Sequence, residues 1–225
     1  MGVKSSNTNG PGPRSSNAGC KPRTATSPWL ALTALLMLGS LLVWPADHAR
    51  WAWRPEFAFS QPWRAWSAAF VHYSGLHLAA NLAGALLVGA LGWAARVPVR
   101  SVVAWAVAWP LTQFGLLIQP ALLQYGGLSG VLHAGVVVVS IHLLFEGTRT
   151  QRRVAGATLL IVLLKVLSET PWAGPLSHPA GWGIAIAPMA HASGLVAGVL
   201  TAAAAQLWHR AQVKVTAQHD RRRHD

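Results

Sequence analysis

Six stretches of this chain consist almost entirely of apolar residues, and the polar and charged residues are concentrated between them. These runs cover roughly residues 28–46, 77–95, 99–119, 128–146, 154–169 and 185–208. A helix needs about 20 consecutive apolar residues to cross the hydrocarbon core of a bilayer. Each run is near that length, and the fifth, which contains Lys165, is the shortest. The pattern therefore predicts an all-α, polytopic membrane protein with six transmembrane helices.

The segments outside these runs differ from one another in composition. Residues 1–27 are rich in Ser, Asn, Gly and Pro, which predicts a disordered tail. The connection at 47–76 contains four Trp and three Arg residues, and such side chains favour the headgroup region of a membrane. We therefore expect a disordered cytoplasmic tail at 1–27, a membrane domain at 28–208 and a basic cytoplasmic tail at 209–225.

The net charge of +12 at first suggests a nucleic-acid partner. The basic residues, however, lie between the apolar runs and at the chain ends rather than along one face, so we predict no nucleic-acid partner. Basic residues collect on the cytoplasmic side of membranes, so their distribution predicts the orientation of the chain. With a cytoplasmic N-terminus, only Arg50, Arg54 and Arg64 fall outside. Fourteen others then fall inside: Lys4, Arg14, Lys21, Arg23, Arg96, Arg100, Arg149, Arg152, Arg153, Arg210, Lys214, Arg221, Arg222 and Arg223. Both termini are therefore predicted to be cytoplasmic.

Polar motifs interrupt the apolar pattern near the start of the second, fourth and sixth runs. They are His77-Leu-Ala-Ala-Asn81, Gly127-Leu-Ser129-Gly130 and Ala190-His191-Ala-Ser-Gly194. In the predicted topology these three runs cross the membrane in the same direction, so all three motifs lie in its outer part. Polar side chains inside a membrane are costly and usually mark a functional site. We predict that the three motifs form one site.

The residue types in these motifs suit acyl transfer. A serine hydroxyl is a weak nucleophile that needs an adjacent base, and His191 can serve Ser129 in that role. The tetrahedral intermediate needs hydrogen-bond donors for its oxyanion. The backbone N–H of Ser129, together with His77 and Asn81, can provide them. No carboxylate is expected near the site, so the predicted form is a Ser–His dyad.

Four further residues are expected to support the site. Gly127 and Gly130 flank the serine and allow unusual backbone dihedrals and close approach of neighbouring chain. His133 lies one turn below Ser129, and His72 precedes the second run. The number of His residues invites a metal interpretation. No His-Glu-x-x-His motif is present, and we predict neither a metal nor another cofactor.

Together these motifs resemble the rhomboid family of intramembrane serine proteases, over about residues 50–205. The first loop and second helix of that family are similar to three parts of this chain: Trp63-Arg64, the segment 69–72 and the motif 77–81. Residues 189–198, with Gly194 and Gly198, are similar to its sixth helix. The resemblance implies a six-helix bundle and a serine endopeptidase that acts on membrane-anchored proteins. It also implies Ser129 as nucleophile, His191 as general base, and His77 and Asn81 as the oxyanion pair.

Within the family, two fragments resemble the rhombosortase subgroup: Gly-Leu-Ser129-Gly-Val-Leu-His133 and Lys165-Val-Leu-Ser-Glu169. This implies a protein of the bacterial inner membrane whose active site opens toward the periplasm. Its substrates would be exported proteins ending in a Gly-Gly motif, an apolar segment and a basic tail. The alternatives are a general rhomboid protease with other substrates and a catalytically silent rhomboid-like binding protein. Lys165 and Glu169, four residues apart, form either an anchoring ion pair or a substrate contact.

Overall fold

The computed structural model describes residues 28–178 and 185–224. The tail predicted at 1–27 lies outside the described residues, so its disorder stays a prediction. The described chain is built from helices, and its only β pairings are two isolated bridges, Trp53 with Tyr125 and Ser177 with Ile186. The predicted all-α fold is confirmed for this part of the chain.

Six long helices correspond to the six apolar runs. They are α1 (Pro28–Val43), α4 (Gly75–Ala94), α5 (Val99–Phe114), α6 (Ser129–Glu146), α7 (Arg149–Ser168) and α8 (Pro188–His224). By length and composition, α4, α5 with its following turn, α6 and α8 can each cross a membrane. The helix α1 is apolar but only 16 residues long. The helix α7 has 20 residues, and Arg residues in its first turns reduce its apolar character. The molecule is a polytopic helical membrane protein.

Two helices extend beyond the predicted runs. The helix α7 begins at Arg149 rather than near residue 154, because Thr148 and Gln151 form a capping box that satisfies its first-turn N–H groups. The helix α8 continues through the basic segment that begins at residue 209. Apolarity marks only the part of a helix that suits lipid, whereas backbone hydrogen bonding continues into polar sequence.

The 47–76 connection is a folded segment that contains two short helices, α2 (His48–Trp51) and α3 (Arg64–Ser67). Arg64 is buried inside it and donates hydrogen bonds to the carbonyl oxygens of Ala49 (2.9 Å) and Ala52 (2.8 Å). Trp53 exchanges two backbone hydrogen bonds with Tyr125, each 2.8 Å long. The connection therefore holds the chain that leads into α6.

The innermost helix is α6, with 67% of its 18 residues buried compared with 28% of an 18-residue stretch of α4. Small residues let α8 approach it closely. A Cβ at Gly198 would lie 2.8 Å from the Ala134 carbonyl oxygen, and a Cβ at Gly194 would overlap the Gly130 carbonyl. On another side, the Trp105 indole of α5 donates to the Val131 carbonyl at 2.8 Å. The position of α6 is thus set by close backbone contact rather than by long side chains.

Candidate active site

The N-terminal ends of α4, α6 and α8 meet at one end of the bundle. Ser129 is the first residue of α6, His77 is the third of α4, and His191 is the fourth of α8. The Ser129 hydroxyl donates to His191 Nε2 over 2.9 Å. The structure thus brings together three of the residues that the sequence singled out, although they are separated by up to 114 positions along the chain.

Gly127 shapes the turn that presents Ser129. Its φ angle is +149°, a conformation that side-chain-bearing residues rarely adopt. Its N–H donates to the Ala68 carbonyl (2.9 Å), and its own carbonyl accepts from the Tyr125 hydroxyl (3.1 Å). Ser129 therefore stands at a helix N-terminus, where the first backbone N–H groups have no partner within the helix and the dipole is positive.

His191 is held on its other side by a carboxylate. Its side chain is buried, and Nδ1 lies 2.6 Å from Oε2 of Glu169, the residue that follows α7. The second oxygen, Oε1, lies 2.9 Å from Lys165 Nζ. The expectation that no carboxylate is near the site is wrong. The helix α7 runs antiparallel to α6 and α8, so its C-terminal end reaches the level of their N-terminal ends.

His133 lies beneath His191. Its Nδ1 is 2.7 Å from the Ser129 carbonyl oxygen, so Nδ1–H donates and Nε2 is left as an acceptor. Lys165 Nζ donates to that Nε2 over 3.0 Å. The two imidazole rings stack with their centroids 4.4 Å apart. The side chain predicted to support Ser129 therefore contacts the serine backbone, the histidine ring and the lysine together.

A cavity of about 40 Å³ opens beside Ser129 and His191. His77 lines it, and His77 Nδ1 is buried without a hydrogen-bond partner among the described residues. The other lining residues are Tyr73, Gln124, Tyr125, Gly126, Leu176, Ala185, Ile186 and Ala187. Asn81 is buried one turn along α4 from His77 and does not line this cavity. Of the predicted oxyanion pair, His77 thus lies beside the serine and Asn81 lies deeper.

His72 supports His77 from the loop before α4. The His72 side chain is fully buried, its Nδ1 donates to the Phe70 carbonyl (3.0 Å), and its ring meets His77 edge to face at 4.9 Å. Burial, together with the neighbouring His77, lowers the pKa of His72 to about 4. His72 is therefore neutral near pH 7 and acts as a packing partner that fixes the His77 ring.

Gly130 has a packing role. A Cβ at this position would lie 2.6 Å from the Ala190 carbonyl oxygen and 2.7 Å from Thr112 Cγ2. Ala190 directly precedes His191. The absence of a side chain at Gly130 therefore allows α8 to bring His191 against the start of α6.

Some residues of the site were not expected from the sequence. Tyr73 and Tyr125 line the cavity, and Glu169 contacts His191. The spacing of Lys165 and Glu169 on the fifth run was visible, but only the packing of α7 shows what the pair faces. Among residues 28–178 and 185–224, no group of three or more His, Cys, Asp or Glu is arranged to hold a metal. The absence of a metal cofactor stays a prediction.

Comparison with known families matches residues 60–207 to the Rhomboid domain. The chain belongs to the rhomboid family. The matched region includes all three polar motifs, the helices α4 to α7 and the first part of α8, while α1 and the basic end of α8 lie beyond it. No curated protein matches the chain. Rhomboids are a family of intramembrane proteases with membrane protein substrates, and some members are inactive, so the roles of individual residues rest on the geometry.

Proposed function

We propose that this rhomboid is an active serine endopeptidase that uses Ser129 as nucleophile and His191 as general base. The observation that carries the proposal is the 2.9 Å contact between Ser129 Oγ and His191 Nε2. A nucleophile and its base must lie within about 2.6–3.2 Å of each other. A carboxylate oxygen lies on the other ring nitrogen, Nδ1. Nδ1 therefore carries the proton, and Nε2 is free to accept the serine proton.

The reaction proceeds in two acyl-transfer steps. Ser129 Oγ attacks the scissile carbonyl carbon as its proton passes to His191 Nε2. The intermediate collapses, the C–N bond breaks, and His191 returns the proton to the leaving amine. A water molecule then attacks the Ser129 ester, giving its proton to His191, and the acid is released as Oγ regains that proton. If the site excludes water, another nucleophile, such as an amine, would attack the Ser129 ester in place of water.

Donors for the oxyanion are proposed at the start of α6 and on α4. The Ser129 N–H lies at the positive end of the α6 dipole. His77 lines the same cavity, and Asn81 lies one turn further along the same helix. We assign His77 to direct stabilisation of the oxyanion. Asn81 is proposed as the second member of the pair, on the His77 face of α4 but outside the cavity lining, so its contribution is smaller than that of His77.

We further propose substrates of the rhombosortase type, exported proteins ending in Gly-Gly, an apolar segment and a basic tail. The cavity of about 40 Å³ supports a small residue at the cleavage position. A single water molecule needs about 10–15 Å³ of such a cavity, so a large side chain does not fit unless the residues lining the cavity move. The basic substrate tail suits retention on the cytoplasmic side. The proposed location is the bacterial inner membrane, with cytoplasmic termini and a site open to the periplasm.

The test uses the full-length protein reconstituted in liposomes with a fusion that ends in Gly-Gly, an apolar helix and a basic tail. We expect cleavage near the Gly-Gly motif and its loss in Ser129→Ala and His191→Ala. The double variant should be no slower than either single variant, because the two residues act as one unit. Covalent labelling by a fluorophosphonate should require Ser129.

Variants of the substrate distinguish rhombosortase-type specificity from that of a general rhomboid protease. Replacing the Gly-Gly pair by Leu-Leu should abolish cleavage while leaving fluorophosphonate labelling intact. Equal cleavage of both substrates would point to a general rhomboid protease. Absence of both cleavage and labelling in a folded protein would instead identify a silent binding protein.

A further inference from the structure

Glu169 and Lys165 form a polar cluster at the end of α7 that the proposed proton transfer does not use directly. Glu169 Oε2 lies 2.6 Å from His191 Nδ1, and Glu169 Oε1 lies 2.9 Å from Lys165 Nζ. Lys165 Nζ is also 3.0 Å from His133 Nε2. The Glu169 side chain is only 18% exposed and the His191 side chain 8%. A carboxylate placed so deeply needs a partner for each oxygen, and both partners are present.

Helix stability does not explain the acidic residue. The C-terminal end of a helix carries partial negative charge, which favours Lys165 in the last turn of α7 and disfavours Glu169 immediately after it. The chain then turns sharply, because Thr170 adopts a φ of +47°, an unusual conformation for a β-branched residue. The carboxylate at the negative end of the helix and the positive φ of Thr170 are both locally unfavourable. The same arrangement places the Glu169 carboxylate next to His191.

The hydrogen-bond donors and acceptors define the proton positions in the cluster. Lys165 has only donors and an ionised carboxylate has only acceptors. His191 Nδ1 faces Glu169 at 2.6 Å and Lys165 Nζ at 3.1 Å. With Glu169 present, Nδ1–H donates to the carboxylate, and the lysine contact is not a hydrogen bond. Without the carboxylate, Lys165 is positioned to donate to the bare Nδ1, which would move the proton to Nε2.

We propose that Glu169 is a positioning residue that holds His191 in the Nδ1–H tautomer, and that Lys165 holds Glu169 in place. This rests on the proposed function, because that tautomer matters only if His191 Nε2 must accept the Ser129 proton. The site is then a triad of Ser129, His191 and Glu169, in which Glu169 orients His191, rather than a dyad. Glu169 does not take up the proton. It fixes the ring and stabilises the positive charge that forms on His191.

The isosteric variant Glu169→Gln gives a sharp expectation. The glutamine carbonyl oxygen can accept only at one end of the side chain, and Lys165 requires an acceptor at the position of Oε1. The amide NH₂ is then directed at His191 Nδ1 and stabilises the wrong tautomer. The loss of kcat should be on the order of 100- to 10,000-fold with little change in KM, the upper figure being that of the corresponding change in a soluble triad protease.

Removing the lysine as well should restore part of the activity. In Glu169→Gln/Lys165→Met nothing on α7 fixes the glutamine carbonyl, so the amide rotates and accepts from Nδ1–H. The double variant should therefore cleave at least about 10-fold faster than Glu169→Gln alone, a reversal expected only when the two residues act through one tautomer. The matched control is Glu146→Gln, which removes a carboxylate paired with Arg100 at the other end of α6 and should leave cleavage within about 2-fold.

The tautomer is read directly by two-bond ¹H–¹⁵N spectra of ¹⁵N-histidine-labelled full-length protein in detergent micelles. The His191 signals are assigned by their loss in His191→Gln. We expect a protonated Nδ1 and bare Nε2 in the wild type, and the reverse in Glu169→Gln. A protonated Nε2 in the wild type, an unchanged tautomer in Glu169→Gln, or wild-type kcat in that variant would overturn the proposal. Because the spectrum needs no substrate, it is independent of the Ser129→Ala test that decides the proposed function.

Discussion

The imidazole rings of His133 and His191 lie face to face, with their centroids 4.4 Å apart and their planes inclined by 20°. His133 comes from the buried helix α6 and also hydrogen-bonds the Ser129 carbonyl. The ring that is proposed to act as base is therefore supported from below by a residue on the helix that carries the nucleophile. Any shift of α6 moves the serine and this support together.

We expect His133→Phe to keep most of the cleavage activity and His133→Ala to lose more. Phenylalanine preserves a flat ring under His191, whereas alanine leaves a gap. An aromatic pair contributes about 0.5–1.5 kcal/mol beyond burial, so alanine should be about 2- to 10-fold slower than phenylalanine. Initial rates at saturating substrate measure the difference. If alanine matched phenylalanine in rate, the stacking would have no role in positioning His191.

His77→Ala should slow cleavage more than Asn81→Ala. His77 lines the cavity beside Ser129, and Asn81 does not. Loss of one oxyanion donor costs on the order of 100- to 1000-fold in kcat, and that loss is expected for His77. His209→Ala, on α8 but 18 residues further along the helix than His191, serves as the control and should be close to wild type. Unchanged turnover in His77→Ala would refute its oxyanion role.

Gly194→Ala should reduce both stability and cleavage, because its methyl group would overlap the Gly130 carbonyl and separate α8 from α6. Overpacking of this kind costs about 1–3 kcal/mol. The control is Gly156→Ala in α7, where an added Cβ meets no atom within 4 Å. That change should be neutral or stabilising by up to about 1 kcal/mol. Thermal unfolding in detergent and cleavage rates measure the two effects, and equal behaviour of the two variants would contradict the close crossing.

Gly127→Ala should impair cleavage through the turn before Ser129. Its φ of +149° is unfavourable for alanine, and the new Cβ would lie 3.1 Å from His77 Nε2. Backbone strain of this type costs about 1–3 kcal/mol. Gly75→Ala, with no atom within 4 Å of the added Cβ, is the matched control on α4. The rate of fluorophosphonate labelling reports the geometry of Ser129, and the prediction fails if both variants label at the wild-type rate.

The sequence predicted the helical membrane fold well, because apolarity over a membrane-length run is a local property of the chain. It also identified the polar residues within the apolar runs as candidates for a functional site, because such residues are costly inside a membrane. The start of α7 was predicted too late, at residue 154, because Thr148 and Gln151 cap the helix with polar groups that a search for apolar residues does not detect. The basic cytoplasmic tail at 209–225 stays a prediction, and its helical continuation from α8 reflects backbone hydrogen bonding, which apolarity does not reveal.

The identities of Ser129, His191 and His77 as candidates came from the sequence alone, since each is a polar residue near the N-terminal end of an apolar run. The contact of Glu169 with His191 could not be predicted from the sequence alone. Spacing along α7 shows that Lys165 and Glu169 share a face, but the rotation of α7 about its axis is set by packing against α6 and α8. Only that packing decides which side chain meets His191. Likewise, Asn81 shares a helix face with His77, yet its exclusion from the cavity lining depends on how α4 lies against α6.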